Sequence, residues 1–237
     1  MNYQKYIPPI ITDLLISKSI PNLLGDRLVE WSWSASRIPE SNFPDNHALD
    51  LGTGSSYISL IAAFKGWRVT CIDLSHLSKP YHHDNISYRN GDILTMPLDL
   101  DNKYSLVINV SFIEHVGKPG QDKGDYIAMN RIYQAMTNNS IMLLTVPCGE
   151  NPGNNLARCY NSDTLNLLAS RFEVLEQSYF AKINGNTWTR VDRDTACNYP
   201  NKMSGSNPLK IIYALGMLVL HKPGEIVNAT GTINSES

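Results

Sequence analysis

Two kinds of apolar grouping alternate along this chain. Some runs are apolar almost without a break, and other stretches carry apolar residues three or four positions apart. The first pattern suits a strand buried on both faces, the second a helix with one covered face. After Pro8-Pro9 the spacing predicts a helix over 10–20, then another over 25–36 with Leu28, Trp31 and Ala35 near one face. Pro39 and Pro44 end regular structure there. From His47 onward, strands are expected over 48–51, 68–72, 86–89, 104–110 and 141–146. Helices are expected between them, over 55–64, 125–136 and 162–170, the first with Ser55 or Ser56 as N-cap and Gly66 as its stop. Two last strands are expected over 172–180 and 213–220. The stretch 182–207 is polar and aromatic with little periodicity, and reads as a loop insertion or lid.

Strands that alternate with helices and are apolar on both faces argue for an α/β fold with a mainly parallel sheet covered on both sides. The chain divides accordingly into an N-terminal helical segment (1–46), a main domain (47–222) containing the insertion, and a polar, flexible tail (223–237).

Composition narrows the classes. The 237 residues are 42% hydrophobic and 18% charged, enough for a full core without disulfides or metal. A formal charge of −2 argues against a protein that grips a phosphate backbone, so no nucleic-acid partner is expected. Cys71, Cys148, Cys159 and Cys197 form no CxxC pair and read as reduced thiols of a cytoplasmic protein. The first nine residues do not resemble a signal peptide. The longest apolar run, 211–220, is ten residues, short of the ~20 a membrane helix needs.

In an open parallel sheet, ligands bind beyond the carboxyl ends of the strands. Those positions hold Asp50, Gly52 and Gly54 after the first strand, Asp73 with Leu74 after the second, Asp92 with Ile93 after the third, and Ser111 to His115 after the fourth. The glycines allow close backbone approach, and an acid 21 residues beyond Gly52 is placed to accept from ribose hydroxyls. The ordered set points to a nucleoside. A dinucleotide site wants a third glycine where Tyr57 stands, and Asp50 would repel a pyrophosphate. Asp50 suits instead the cationic end of S-adenosylmethionine (SAM).

The segments Ala48-Leu-Asp-Leu-Gly-Thr-Gly54, Cys71-Ile-Asp73, Asn90-Gly-Asp-Ile93 and Leu143-Leu-Thr-Val-Pro147 resemble the motifs of class I SAM-dependent methyltransferases over about residues 45–222. The resemblance implies a three-layer, Rossmann-like fold, a seven-stranded sheet in the order 3-2-1-4-5-7-6 with the last strand antiparallel, and SAM as cofactor. It implies cofactor contacts for Asp50, Gly52, Gly54, Asp73, Leu74, Asp92, Ile93 and Ser111. A narrower series resembles a subgroup associated with glycan biosynthesis: Arg37-Ile-Pro-Glu40, Ser111-Phe-Ile-Glu-His-Val-Gly117, Gly124-Asp125 with Ala128-Met129, and Arg158-Cys-Tyr160. It implies a sugar hydroxyl as methyl acceptor. The subgroup's Pro-Gly-Gly turn is here Thr137-Asn138-Asn139, where asparagine can take left-handed geometry.

A hydroxyl is a poor nucleophile until its proton is removed, so a general base is required. His115 is the first candidate and Glu114 the second; both can instead shape the cofactor pocket. Asp125 reads as a first-turn helix acid favoured by the dipole. Arg37 and Glu40 are placed to fold over the cofactor or to form a surface ion pair. Trp188, Tyr179, Phe180 and Tyr199 suit sugar contact or the pinning of a lid. His76, His82 and His83 are a weak metal pattern, and no metal is assigned. Alternatives to a sugar acceptor are a phenol or lipid-like metabolite, or a non-catalytic SAM-binding scaffold.

Overall fold

A computed structural model of the chain describes residues 25–42, 46–75, 81–97, 103–119, 122–154, 156–184, 187–202 and 211–224. The helix expected over 10–20, Pro44, His76 and nearly all of the expected tail lie outside the described residues.

Among the described residues, eight strands form one mixed sheet: β1 (His47–Leu51), β2 (Arg68–Asp73), β3 (Ile86–Asn90), β4 (Tyr104–Val110), β5 (Met136–Cys148), β6 (Glu173–Asn184), β7 (Thr187–Val191) and β8 (Ala214–Lys222). Their order is β3-β2-β1-β4-β5-β8-β6-β7. The first five run parallel, while β8 is antiparallel to both β5 and β6. The sheet therefore has eight strands where seven were expected. The addition is β7, inside the stretch read as a loop, which pairs antiparallel with β6 from Tyr179↔Val191 to Lys182↔Trp188. An edge strand has one open side and half-exposed residues, so it leaves no apolar run to find.

The helices among the described residues are α1 (Arg27–Arg37), α2 (Ile58–Phe64), α3 (Gly124–Ala135), α4 (Ser162–Leu168) and the short α5 (Arg193–Cys197). Strand side chains alternate between two cores, as the period of two requires. Leu49, Leu51, Val107, Met142 and Leu144 pack with Ala128, Met129 and Ile132 of α3 and Leu165 and Leu168 of α4. Ala48, Val69, Leu106, Ile108 and Leu143 pack on the other face with Trp31 and Trp33 of α1 and Ile58, Ala62 and Ala63 of α2. These are the three layers, helix on sheet on helix.

Local chemistry sets several boundaries. Helix α2 starts at Ile58 after Tyr57, not at Ser55 or Ser56 with a side-chain cap, although Ser56 Oγ accepts from the Ile58 N–H at 3.1 Å. Helix α4 has a capping box, Asn161 with Thr164. Strand β5 begins at Met136, before the expected 141, and Asn139 takes a left-handed φ of 57° in place of a glycine. In α1 the covered face differs from the expected one. Leu28 is 44% exposed, whereas Glu30, Trp31, Trp33 and Ser34 are buried.

Candidate active site

The carboxyl ends of β1, β2, β3 and β4 meet in a cleft with two lobes that share Gly52 and Ser111. The larger lobe, about 360 Å³, is lined by residues that include Asp73, Leu74, Asp92, Ile93, Phe112 and His115. The smaller, about 100 Å³, includes Arg27, Glu30 and Trp31 of α1 with Asp50, Thr53 and Gly54 of the turn after β1. Every residue to which the resemblance gave a cofactor contact thus lines one lobe or the other.

Gly52 and Gly54 take left-handed φ values of 65° and 50°. A Cβ on Gly52 would sit 2.5 Å from Phe112 Cδ2, so only glycine lets β1 and the turn after β4 approach this closely. Asp73 is tied into the same turn: Oδ2 accepts from Gly54 N–H at 3.1 Å and Oδ1 from Ser75 N–H at 2.9 Å. A carboxylate has further acceptor capacity for ribose hydroxyls. Asp92 Oδ1 accepts from Leu94 N–H at 2.9 Å, which shapes the turn around Ile93. Tyr57, in the position of the missing third glycine, meets Trp31 edge-on at 5.2 Å and so seats α1 against this turn.

The cleft is rich in buried acids. Asp50 is 3% exposed; burial pushes its carboxyl up to about 7, and Oδ2 has no hydrogen-bond partner. Glu114, in a short 3₁₀ turn after β4 (Ile113–His115), is also pushed up to about 7 by burial, and its Oε2 has no partner. Glu30 is held well above the usual carboxylate range by burial and by Asp26, while its Oε2 accepts from Ser111 Oγ at 2.6 Å and Thr145 Oγ1 at 2.9 Å. Ser111 has a φ of 47°, an uncommon conformation for a residue with a side chain. Orphaned buried carboxylate oxygens are costly and call for a cationic or hydrogen-bonding occupant. The ammonium and sulfonium of SAM are such groups, and the diol of its ribose suits Asp73. The residues present therefore fit the cofactor.

His115 is the exposed member of the acid-rich end. Its Nδ1 lies 2.7 Å from the carbonyl of Leu156, so in the neutral ring that nitrogen donates and Nε2 keeps its lone pair. Nε2 is 3.7 Å from Glu114 Oε1. Glu114 itself lines neither lobe but lies behind them. The carbonyl belongs to a strap, 156–160, bound to the segment 114–125 by Arg158. Arg158 N–H donates to Glu114 O at 3.0 Å, Nη1 to Val116 O at 2.5 Å, and Nη2 to Asp122 Oδ1 at 2.9 Å. Nε pairs with Asp125 Oδ1 at 3.4 Å, and Tyr160 OH donates to Asp125 Oδ2 at 3.0 Å. Asp125 is thus a buried ion-pair partner in the first turn of α3, beyond the dipole role expected for it.

Other candidates lie elsewhere. Arg37 pairs with Glu176 of β6 and stacks on Trp33 at 4.4 Å, while Glu40 pairs with Lys65 at 3.8 Å. They form surface ion pairs with other partners rather than a cover for the cofactor. Trp188 donates from Nε1 to Gly25 O at 3.0 Å, and Tyr199 OH donates to Lys182 O at 2.9 Å. Tyr179 is buried in the core, and Phe180 packs against the core under α1 and α2. His83 Nδ1 accepts from Asn85 N–H at 3.1 Å, with its ring against Phe64. Sequence reasoning missed Glu30 and Leu156, and it read Trp31, Phe112, Thr145 and Arg158 only as parts of a helical face or of motifs, with no role of their own; an acid and a serine inside an apolar helical face were the available signals for α1.

Residues 49–144, from within β1 to within β5, match the family model described as a methyltransferase domain. No curated protein matches the chain. Among solved structures, the chain is similar to the N-methyltransferase NodS from Bradyrhizobium japonicum in complex with S-adenosylhomocysteine (TM-score 0.56, 11% identity, 94% of this chain and 98% of that one). It is also similar to the Burkholderia thailandensis 1,6-didemethyltoxoflavin-N1-methyltransferase, bound to 1,6-didemethyltoxoflavin and S-adenosylhomocysteine (0.55, 13%, 83% and 79%). A third is a SAM-dependent methyltransferase from Methanosarcina mazei (0.53, 15%, 77% and 95%). At these identities the structures share the fold, and the family match adds the domain type. The chain thus carries a methyltransferase domain over residues 49–144 on a Rossmann-like fold, and the two findings together support a SAM-dependent methyltransferase.

Proposed function

We propose that the protein transfers the methyl group of SAM to a hydroxyl of a sugar, in a glycan or glycan precursor, with His115 as general base. The observation that carries the base is the 2.7 Å contact between His115 Nδ1 and Leu156 O, which leaves Nε2 open at the cleft. SAM, when bound, supplies an electrophilic methyl carbon. His115 Nε2 takes the hydroxyl proton, and the charge it gains is balanced by Glu114 Oε1 at 3.7 Å. Asp50 and Asp73 would hold the two ends of the cofactor, and fixing both ends would orient its methyl group for an acceptor. The sugar itself is supported by the resemblance of the Ser111 to Gly117, Gly124 to Met129 and Arg158 to Tyr160 segments to a glycan-associated subgroup.

In this reading residues 47–222 are the catalytic domain, 1–46 an N-terminal segment and 182–207 an insertion. The setting is cytoplasmic, supported by four buried cysteines without disulfides. No helix among the described residues is long and apolar enough to cross a membrane.

A second reading, a nitrogen acceptor, is favoured by the two N-methyltransferases among the similar structures. The test is turnover of SAM to S-adenosylhomocysteine over a panel of sugars, phenols and amines, with wild type and His115→Gln. Methylated sugar from wild type, with a loss of about 10²–10⁴ in kcat for the variant, is expected. Turnover only on amines or phenols would overturn the sugar. An unchanged rate in the variant would overturn the base, and binding without turnover on any acceptor would favour the scaffold.

A further inference from the structure

The smaller lobe is built half from the turn after β1 and half from α1, a helix that precedes the first strand. Asp73, Asp92 and their neighbours take the nucleoside in the larger lobe, so the lobe across Gly52 receives the amino-acid end of SAM. That end is a zwitterion, and Arg27 and Glu30, one turn apart on α1, line the lobe with a basic and an acidic side chain. Glu30 is 1% exposed, yet Ser111 and Thr145 both donate to its Oε2. Among the described residues nothing hydrogen-bonds its Oε1. A carboxylate this deeply buried, fixed through one oxygen and open through the other, is prepared for a donor that arrives with the ligand. Asp50 lines the same lobe with a second unpartnered carboxylate oxygen.

We propose that helix α1 completes the cofactor site, with Glu30 Oε1 and Asp50 Oδ2 jointly accepting the ammonium of SAM. Glu30 is then a ligand-binding residue as well as the peg that fastens α1 to the ends of β4 and β5. Cofactor binding and the docking of α1 become one event, because the ammonium draws the helix's own carboxylate toward the turn after β1.

Three related ligands separate the charges involved. SAM carries the ammonium and the sulfonium, S-adenosylhomocysteine the ammonium alone, and 5′-methylthioadenosine neither. Calorimetric titration of Glu30→Gln is expected to show SAM and S-adenosylhomocysteine weakened alike, each about tenfold, as for one charge-assisted hydrogen bond. Affinity for methylthioadenosine stays at the wild-type value. Equal weakening of all three ligands would make Glu30 purely structural and overturn the proposal, as would no change in any. Loss confined to SAM would move the contact to the sulfonium and overturn the ammonium assignment. A wild-type measurement covers the case in which the variant does not fold. Amide hydrogen exchange in Arg27–Arg37 is expected to slow with SAM and S-adenosylhomocysteine but not with methylthioadenosine. Protection by all three ligands, or by none, would overturn the coupling to α1.

Discussion

Ser111 Oγ and Glu30 Oε2 lie 2.6 Å apart across 81 positions of sequence, and their bond joins the end of β4 to the N-terminal helix. Ser111→Ala removes a donor to a buried carboxylate and keeps a strained backbone, for a loss of about 1–3 kcal/mol. Ser111→Gly removes the same donor but relieves the φ of 47°, so it is expected to cost less. Urea unfolding of the two variants checks the order; an equal cost would mean that the left-handed backbone carries no strain.

Cofactor affinity is expected to rise with pH and then level off. Burial places the Asp50 carboxyl at about 7, so below that pH the group is protonated and has no charge to offer an ammonium. The bound cation favours the ionised form, so binding releases a proton below pH 7 and none well above it. Folding of the cofactor-free protein has the opposite slope. Asp50 and Glu114, both raised to about 7, hold protons that the unfolded chain loses near pH 4. Their contribution to stability is therefore full at low pH and is lost as pH rises to about 7. Calorimetry of SAM binding from pH 5.5 to 8 tests the first slope, and Asp50→Asn is expected to flatten it.

Arg158→Met leaves Asp125 buried without its ion-pair partner and frees the strap from Asp122 and Val116. A cost of about 3–5 kcal/mol is expected, as for half of a buried ion pair. Tyr160→Phe removes one hydrogen bond to the same carboxylate and should cost about 1 kcal/mol. Thermal unfolding distinguishes them; equal costs would mean that Arg158 contributes no more than a surface arginine.

Gly52→Ala forces a Cβ against Phe112 at 2.5 Å on a backbone with φ of 65°. It is expected to weaken SAM binding and to lower stability by about 1–3 kcal/mol. Adding Phe112→Leu should restore part of the binding if the clash matters more than the backbone. No restoration would assign the loss to φ alone.

The cofactor side of the cleft was legible because its residues are fixed by strand ends, and the strands are apolar runs that a sequence displays. Leu106 to Val110 and Ile141 to Val146 announce β4 and β5, and with them the positions of Ser111 and Pro147. Strand β7 was not legible, since none of its residues is buried and its half-buried positions do not alternate. Nor was the role of α1. Periodicity placed Leu28 inward, but its position went to solvent while Glu30 went in. Hydrogen bonds from Ser111 and Thr145 outweigh the ordinary preference for a leucine over a glutamate, and those donors lie 81 and 115 residues away. The strap that holds His115 is equally non-local, because a backbone carbonyl at Leu156 has no signature in composition.

The N-terminal end of α1 is anchored by residues made much later: Trp188 reaches Gly25 across 163 positions, and Tyr213 OH donates to Asp26 Oδ2 at 2.5 Å across 187. During synthesis, α1 leaves the ribosome long before either anchor exists. The nucleoside half of the cleft can close once β4 has paired with β1, but the half lined by α1 waits for β8. Such long loops are slow to close. The protein is therefore expected to gain its affinity for SAM late, after most of its sheet has formed. A nascent chain arrested before Tyr213 should hold SAM no better than it holds adenosine.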